Sequence, residues 1–417
     1  MELFIRPLDT QFYRSSLPFD AGIDSAAFSN FPPWPRPIYG ALRAEAFRQN
    51  GVSLSQNLTE SHPVLGNKEK FGSLAIKGPF LVQWDKEGGE IGFVYLPFPS
   101  DLVKEKDRVF VRPLVPDEQS NLSVFSNLRE PSLFALKPQF EEASMVQVEE
   151  VEGFFLKSGL SDYLCGELKN ERLGNFAVPS AKIYSPEPRV GIKLSPQQRT
   201  AETGMIYQVW HYRLNVNEDW PFGFYVKLEG YKENELHLPS QGILRLGGEG
   251  RPAAYYLLDN PSQESASWWE LPRETVINKI AQSGKFKAYL ITPAIFKNGA
   301  MPDICTISSG EIKGSIKLNG EEYPFILCGA AIGKSQKIGG WDIQNKCPKV
   351  MRQAVPAGSL YFFKFEKWPE DDQERRSLAE AVWKEFNFQS WCQKEPWNEQ
   401  EPGPGKEGFG IVLIGGW

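Results

Sequence analysis

A mixed α+β architecture, with sheets joined by long loops, is what this sequence predicts. Aromatic residues make up 13% of its 417 positions, as 28 Phe, 14 Tyr and 12 Trp, and such residues favour strands. Glycine and proline contribute 37 and 32 residues, well above the usual ~12 per cent share but short of the ~25–30 per cent that marks low complexity. The apolar stretches are strand-sized, separated by turn residues and interrupted by a few helical patterns. At roughly 150 residues per domain, the length suggests two or three units.

Taken in order, Glu2–Leu8 has strand character and leads into a Phe- and Pro-rich loop. Ile38–Asn50 turns helical: Ile38, Leu42 and Ala46 recur every four residues beside Ala41 and Phe47, and Pro37 suits the first turn. Phe80–Trp84 and Ile91–Leu96 read as a hairpin, and Arg108–Leu114 as a further strand. Residues 116–153 are weakly patterned and carry an acidic run. A second hairpin joins Arg189–Ser195 to Met205–Asn215 through a polar loop containing Arg199, and Phe222–Gly230 follows as a strand. Gly242–Leu258 is strand-like on both sides of GGEGRP. Helical Glu274–Gln282 precedes a strand at Lys287–Thr292. Strands at Phe325–Gly333 and Ser359–Glu366, a helix near Arg376–Trp391 and the strand FGIVLIGGW close the chain. In that helix Leu378, Val382 and Phe386 form one apolar stripe. Strand–helix–strand–strand–helix–strand, imperfect in each half, is the split βαβ or ferredoxin-like pattern.

Several function classes drop out. No stretch approaches the ~18 apolar residues of a membrane span, and no basic segment followed by an apolar one opens the chain, so a cytoplasmic protein is expected. Five cysteines without a CxxC indicate neither a disulfide scaffold nor a zinc site. No metal or cofactor is expected. Three histidines, His62, His211 and His237, stand apart from other ligand types, and GxSxG and HExxH are missing. Cys328–Ser335 imitates a P-loop, but Gly329 leaves the loop one residue short and no helical pattern follows. Asp371–Asp372 reads as a solvated turn. A binding or assembly role is expected rather than catalysis.

The net charge of −6 opposes a free-standing nucleic-acid binder, so any RNA contact must be local or completed by partners. One segment qualifies. Lys334–Arg352 carries Lys334, Lys337, Lys346, Lys349 and Arg352 against Asp342 alone, with Trp341 available to stack a base. A solvated lysine loop is the plainer alternative. Gly408 and Gly410 before the last strand permit positive φ or close approach of a ligand, although a tight turn is the simpler explanation. Arg251 in GGEGRP is a phosphate ligand or a partner for a local carboxylate.

In order and spacing these segments resemble one family: the third subunit of the Cmr module in type III-B CRISPR interference complexes, of the RAMP superfamily. The resemblance is carried by FIRPLDTQFYRSSLPFDAG, FPPWPRPIYGALR, RVGIKLSPQQRTAETGMIY, LRLGGEGRPA, YLITPAIF, GKSQKIGGWDIQNKCPKVMRQAVPAGSLYFF and GFGIVLIGGW, the last similar to the RAMP glycine-rich loop. It implies two ferredoxin-like domains, at 1–235 with a thumb-like hairpin near 189–215, and at 236–417. It implies a non-catalytic subunit that binds the repeat-derived 5′ tag of crRNA and bridges the large polymerase/cyclase-like subunit to the adjacent backbone RAMP subunit, in antiviral defence; contact with the target-RNA flank stays open. The RNA-binding residues it suggests are Arg36, Tyr39, Arg43, Arg189, Arg199, Arg251, Lys334, Lys337, Trp341, Gly408 and Gly410. Where the family commonly has small hydroxyl residues before the first helix, this chain has Arg36 and Pro37, leaving Arg36 as the substitute phosphate contact. Two alternatives remain: a RAMP endoribonuclease, with His211 or Tyr39 as its acid/base, and the equivalent subunit of a type III-A complex.

Overall fold

Most of the apolar runs pair into two antiparallel sheets. The computed structural model describes the chain except residues 16–25, 52–60, 68–69, 106–110, 117–122, 125–132, 135, 139–147, 169–174, 196, 198–199, 233, 259–267, 271, 343–346 and 397–400. The first sheet contains β1 (Glu2–Pro7), β2 (Ala75–Trp84), β3 (Ile91–Pro97), β4 (Phe154–Leu156) and β5 (Ala177–Val178). A separate long hairpin, β6 (Tyr184–Leu194) and β7 (Ala201–Leu214), projects from it. The sheet is completed by β8 (Phe222–Glu229), β9 (Gln241–Leu246) and β10 (Arg251–Leu258), in the order β5-β4-β3-β2-β8-β1-β10-β9. The second sheet uses β11 (Lys285–Leu290), β12 (Thr306–Ser308), β13 (Glu311–Leu318), β14 (Glu321–Ala331), β15 (Leu360–Phe365) and β16 (Val412–Gly416), ordered β12-β13-β14-β15-β11-β16.

The two sheets share a connectivity at their centres. In the first, β2-β8-β1-β10 places the opening strand between two later ones; in the second, β14-β15-β11-β16 does the same. Each half keeps one crossing helix. In the first it is α1 (Pro35–Gln49), between β1 and β2. Two further helices follow it, α2 (Leu160–Leu164) and α3 (Arg273–Ser283). The crossing helix of the second half is α4 (Asp372–Phe386), between β15 and β16.

The central strands of the first sheet are buried on both faces, which explains their continuous apolar runs. Leu3, Ile5, Leu81, Phe224 and Val226 pack beneath α1 with Ile38, Leu42 and Ala46. Their strand neighbours Phe4, Phe80, Val82 and Tyr225 point to the other face and join a core that includes Phe286, Phe363, Val382 and Leu413 of the second half. One core therefore spans both halves.

Three sequence expectations shift. The boundary expected at 235/236 falls before β9 and β10, yet β10 pairs with β1 from Glu2↔Leu258 to Pro7↔Ala253, so the first sheet runs on to Leu258. The last long helix begins earlier than expected because Asp371 caps it, accepting from the Glu374 N–H at 2.8 Å. It ends earlier because Phe388 takes a left-handed φ of 54° and its N–H turns to Val412 O. A short helix, α5 (Pro404–Glu407), was not foreseen. No helix among the described residues is long and apolar enough to cross a membrane.

A connection after β3 fastens the halves together. Asp101 lies 3.7 Å from Lys287 of β11, both side chains almost fully buried, and accepts from the Tyr163 hydroxyl at 2.6 Å. Ser100 N donates to Gly358 O, and the Tyr289 hydroxyl donates to Pro97 O. Burial pushes the Asp101 carboxyl up and the Lys287 ammonium down, so each charge depends on the other. Replacing Asp101 with Ala should therefore cost about 3–5 kcal/mol by stranding a buried cation. Urea unfolding checks this, and Asp101→Ala with Lys287→Met should recover most of the loss.

Candidate nucleic-acid interface

The lysine-rich segment leaves the sheet at the end of β14 and turns back on itself. Gln336–Ile338 pairs with Arg352–Ala354, and Trp341–Asp342 pairs with Cys347–Pro348. Ile338 is fully buried and anchors the turn, while Lys334 and Lys337 stay exposed. Trp341 is 56% exposed, so it is not the core aromatic that a tryptophan usually is. Exposed Val350 and Met351 lie on the same segment. Arg352 is instead paired with the buried Glu401 at 3.2 Å, and Lys346 lies outside the described residues. Lys334 and Lys337 have no ion pair among the described residues. Exposed cations beside an exposed indole suit a single strand, where phosphates meet charge and bases stack.

The other described basic candidates are committed within the protein. Arg36 is buried and clasps Glu407 of α5 with both ends of its guanidinium, Nε and Nη2 donating at 2.9–3.1 Å, while Nη1 donates to Gly339 O at 3.2 Å. A phosphate could not reach it without breaking that fork. Arg43 donates to Leu65 O and Asn67 O and covers the rings of Phe47 and Phe71. Tyr39 is 3% exposed, its hydroxyl directed to Leu74 O, so it packs and does not present a stacking face. Arg189 and Arg213 pair with Glu187, at 2.7 and 2.9 Å, and both approach Asp9. Arg251 joins Asp9 and Glu249, which is the local-carboxylate alternative for GGEGRP. The Thr10 N–H and then Arg251 hold Asp9 below the usual carboxylate range. Arg199 lies outside the described residues.

Gly408 and Gly410 do need their freedom, but not to admit a ligand. Both are buried with φ of 99° and 74°. A Cβ on Gly408 would sit 2.5 Å from Gly78 O in β2, and one on Gly410 would sit 2.5 Å from Cys392 Sγ. The backbone that comes close is the chain's own.

The acid/base candidates fare no better. His211 is 1% exposed, stacked on Phe12 and in contact with Thr10 Oγ1 at 3.3 Å. Burial and then Arg251 hold its imidazole below the usual range, and burial pushes the Tyr39 hydroxyl well up. The P-loop imitation is the end of β14, followed by the Gln336–Ile338 strand.

One feature escaped the sequence reading. A cleft of about 630 Å³ is lined by residues of both halves, among them Lys334 and the loop before α1 with Asn30 and Trp34. Its only sequence signal is the density of proline and aromatic residues in SNFPPWP and LPFPS.

A family model described as CRISPR-associated protein (Cas_Cmr3) matches residues 3–417. Similar solved structures include two of the type III-B Cmr-beta. The cryo-EM structure of the type III-B Cmr-beta bound to cognate target RNA has a TM-score of 0.45 at 16% identity, covering 91% of this chain and 94% of that chain. Cmr-beta bound to cognate target RNA and AMPPnP, state 1, gives 0.44 at 16% identity, covering 87% and 86%. No curated protein matches the chain.

Because the space above Gly408 is filled, Gly408→Ala should lower stability by an amount of order 1 kcal/mol or more. Gly89 also has positive φ (70°) but open space around its Cβ position, so Gly89→Ala should cost less. Thermal melting of the two variants gives the comparison. Equal midpoints would mean that packing against Gly78 contributes nothing.

Proposed function

The chain belongs to the Cas_Cmr3 family of CRISPR-associated proteins, and from that membership we propose a non-catalytic subunit of a type III-B Cmr complex that binds the repeat-derived 5′ tag of crRNA. The observation that carries the RNA contact is the turn at Gly333–Met351, where Lys334, Lys337 and Trp341 are exposed together. Elsewhere Arg36, Arg43, Arg189 and Arg251 already face carboxylates or backbone carbonyls. An acidic subunit with one basic edge fits a protein whose remaining surface docks on partners, here the large polymerase/cyclase-like subunit and the adjacent backbone RAMP subunit. The apolar face of the β6–β7 hairpin, with Val190 at 71% and Ile206 at 64% exposure, is consistent with a projection that meets the ribonucleoprotein.

The shared strand order supports reading each half as a degenerate ferredoxin-like unit, the first retaining α1 and the second retaining α4. The endoribonuclease alternative loses support because neither His211 nor Tyr39 reaches the surface. The type III-A alternative gives way to the family match.

Binding of a tag-bearing RNA to the purified chain, followed across a salt series, tests the basic edge. Lys334→Ala with Lys337→Ala should weaken binding regardless of sequence and reduce the logarithmic salt slope by about 0.7 per lost phosphate contact. An unchanged slope would return the segment to a plain solvated loop. A base stacked on Trp341 is worth about 1–3 kcal/mol. Affinity for the native tag should accordingly fall from Trp to Phe to Leu at position 341, with smaller differences on a scrambled tag. Equal affinity for all three would place Trp341 in a protein interface.

A further inference from the structure

Arg36 is too buried to hold a phosphate, and the structure gives it a different task. Its guanidinium reaches the basic turn: Nη1 donates to Gly339 O at 3.2 Å, while Nε and Nη2 are fixed on Glu407. Its stem reaches the turn as well. A Cβ added to Gly340 would lie 3.2 Å from Arg36 Cδ and 3.3 Å from Lys349 Cδ, so the two glycines before Trp341 rest directly on this side chain.

The support behind Arg36 is itself held. Glu407 precedes Gly408, whose positive φ and close approach to Gly78 O lock it against β2, and Gly408 O accepts from the Thr292 hydroxyl at 2.9 Å. A second strut meets the returning arm of the turn. Arg352, in the strand that pairs with Gln336–Ile338, donates to the buried Glu401 at 3.2 Å. Two carboxylates thus reach both arms, each through one arginine. The turn needs such outside help, because its described strands are only two or three residues long and a ribbon that short is marginal alone.

We infer that Arg36, fixed by Glu407, is a positioning residue for the RNA contact: it presents Lys337 and Trp341 in one geometry without touching RNA, and Glu401 does the same through Arg352. This role rests on the RNA-binding function proposed above and names what keeps that site in shape. A turn left to be ordered by the RNA itself would weaken binding roughly two- to tenfold per immobilised side chain. It would still make the same phosphate contacts once bound.

Three variants of the full chain test this role. Arg36→Met with Glu407→Gln removes both buried charges together, so neither is stranded. Gly340→Ala keeps the pair and wedges the turn away from Arg36; Gly340 has no positive φ, so its backbone accepts the change. Glu401→Gln releases the second strut. Affinity for the tag-bearing RNA should fall about tenfold in the first two and at least twofold in the third, with the salt slope unchanged. The first two losses should not add, since both break one contact. A slope lowered by about 0.7 in the Arg36 variant would mean direct phosphate contact, and wild-type affinity in Gly340→Ala would mean that the turn holds itself; either overturns the positioning role.

Hydrogen exchange without RNA separates that result from a failure of the function. Amides of 333–342 and 347–354, including the Lys349 N–H bonded to Gly340 O at 2.9 Å, should exchange faster in the first two variants, while β1 and β8 keep their protection. Should the double variant unfold, Gly340→Ala carries the same comparison. Unchanged exchange in the turn, or exchange that rises equally across the first sheet in Gly340→Ala, overturns positioning whatever the RNA does. Faster exchange confined to the turn, with no RNA bound even by the wild type, overturns the proposed function and the RNA role of Arg36 with it.

Discussion

The bidentate pair between Arg36 and Glu407 ties together three parts of the chain far apart in sequence. Arg36 belongs to the first turn of α1, Glu407 to α5 just before the last strand, and Gly339, which takes the third hydrogen bond, to the turn that presents Trp341. Both charges are almost fully buried, so neither tolerates separation: an isolated charge in such a place would lose several kcal/mol of hydration without compensation. The consequence is geometric. α1 is pinned over the first sheet, the glycine turn is pinned against β2, and the basic turn is hung from the same guanidinium.

The shared core makes this pin effective. Because β1, β2 and β8 bury both faces, the first sheet has no free side on which the second half could slide, and Asp101 with Lys287 adds a second fixed point on the connection after β3. The cleft lies between these fastenings. Its walls combine strand residues, such as Phe80 and Leu81 of β2 and Tyr95 of β3, with short connections whose ends are held by the sheets.

The sequence made legible what depends on periodicity. Ile38, Leu42 and Ala46, and Leu378, Val382 and Phe386, are buried as their spacing requires, and both long hairpins occur where alternating residues flank turn residues. What it could not convey was partnership. A guanidinium carries the same charge whether it faces solvent, as a phosphate contact must, or faces Glu407, Leu65 O or Asp9, as Arg36, Arg43 and Arg251 do. Gly408 and Gly410 signalled close backbone approach correctly, but a glycine does not say which backbone approaches. The reach of the first sheet was hidden for a similar reason, since β10 joins it by pairing with β1 across some 250 residues, and β9 follows by pairing with β10.

These pairings also sharpen the argument for the remaining cations. In a chain of net charge −6, a lysine next to a carboxylate is the ordinary outcome, and most of the candidate arginines follow it. Lys334 and Lys337 are flanked in sequence by glycine, serine, glutamine and isoleucine, and the described residues that line the adjoining cleft include no acid. Keeping carboxylates away from a lysine gains nothing for folding, because an exposed ion pair contributes only about 0–1 kcal/mol in either direction. It does matter to a polyanion, which would be repelled by those acids over roughly a Debye length of 8–10 Å at physiological salt. Among the described residues, Lys334 and Lys337 are thus the exposed cations best placed to meet a negatively charged ligand, on the same edge as the exposed indole of Trp341.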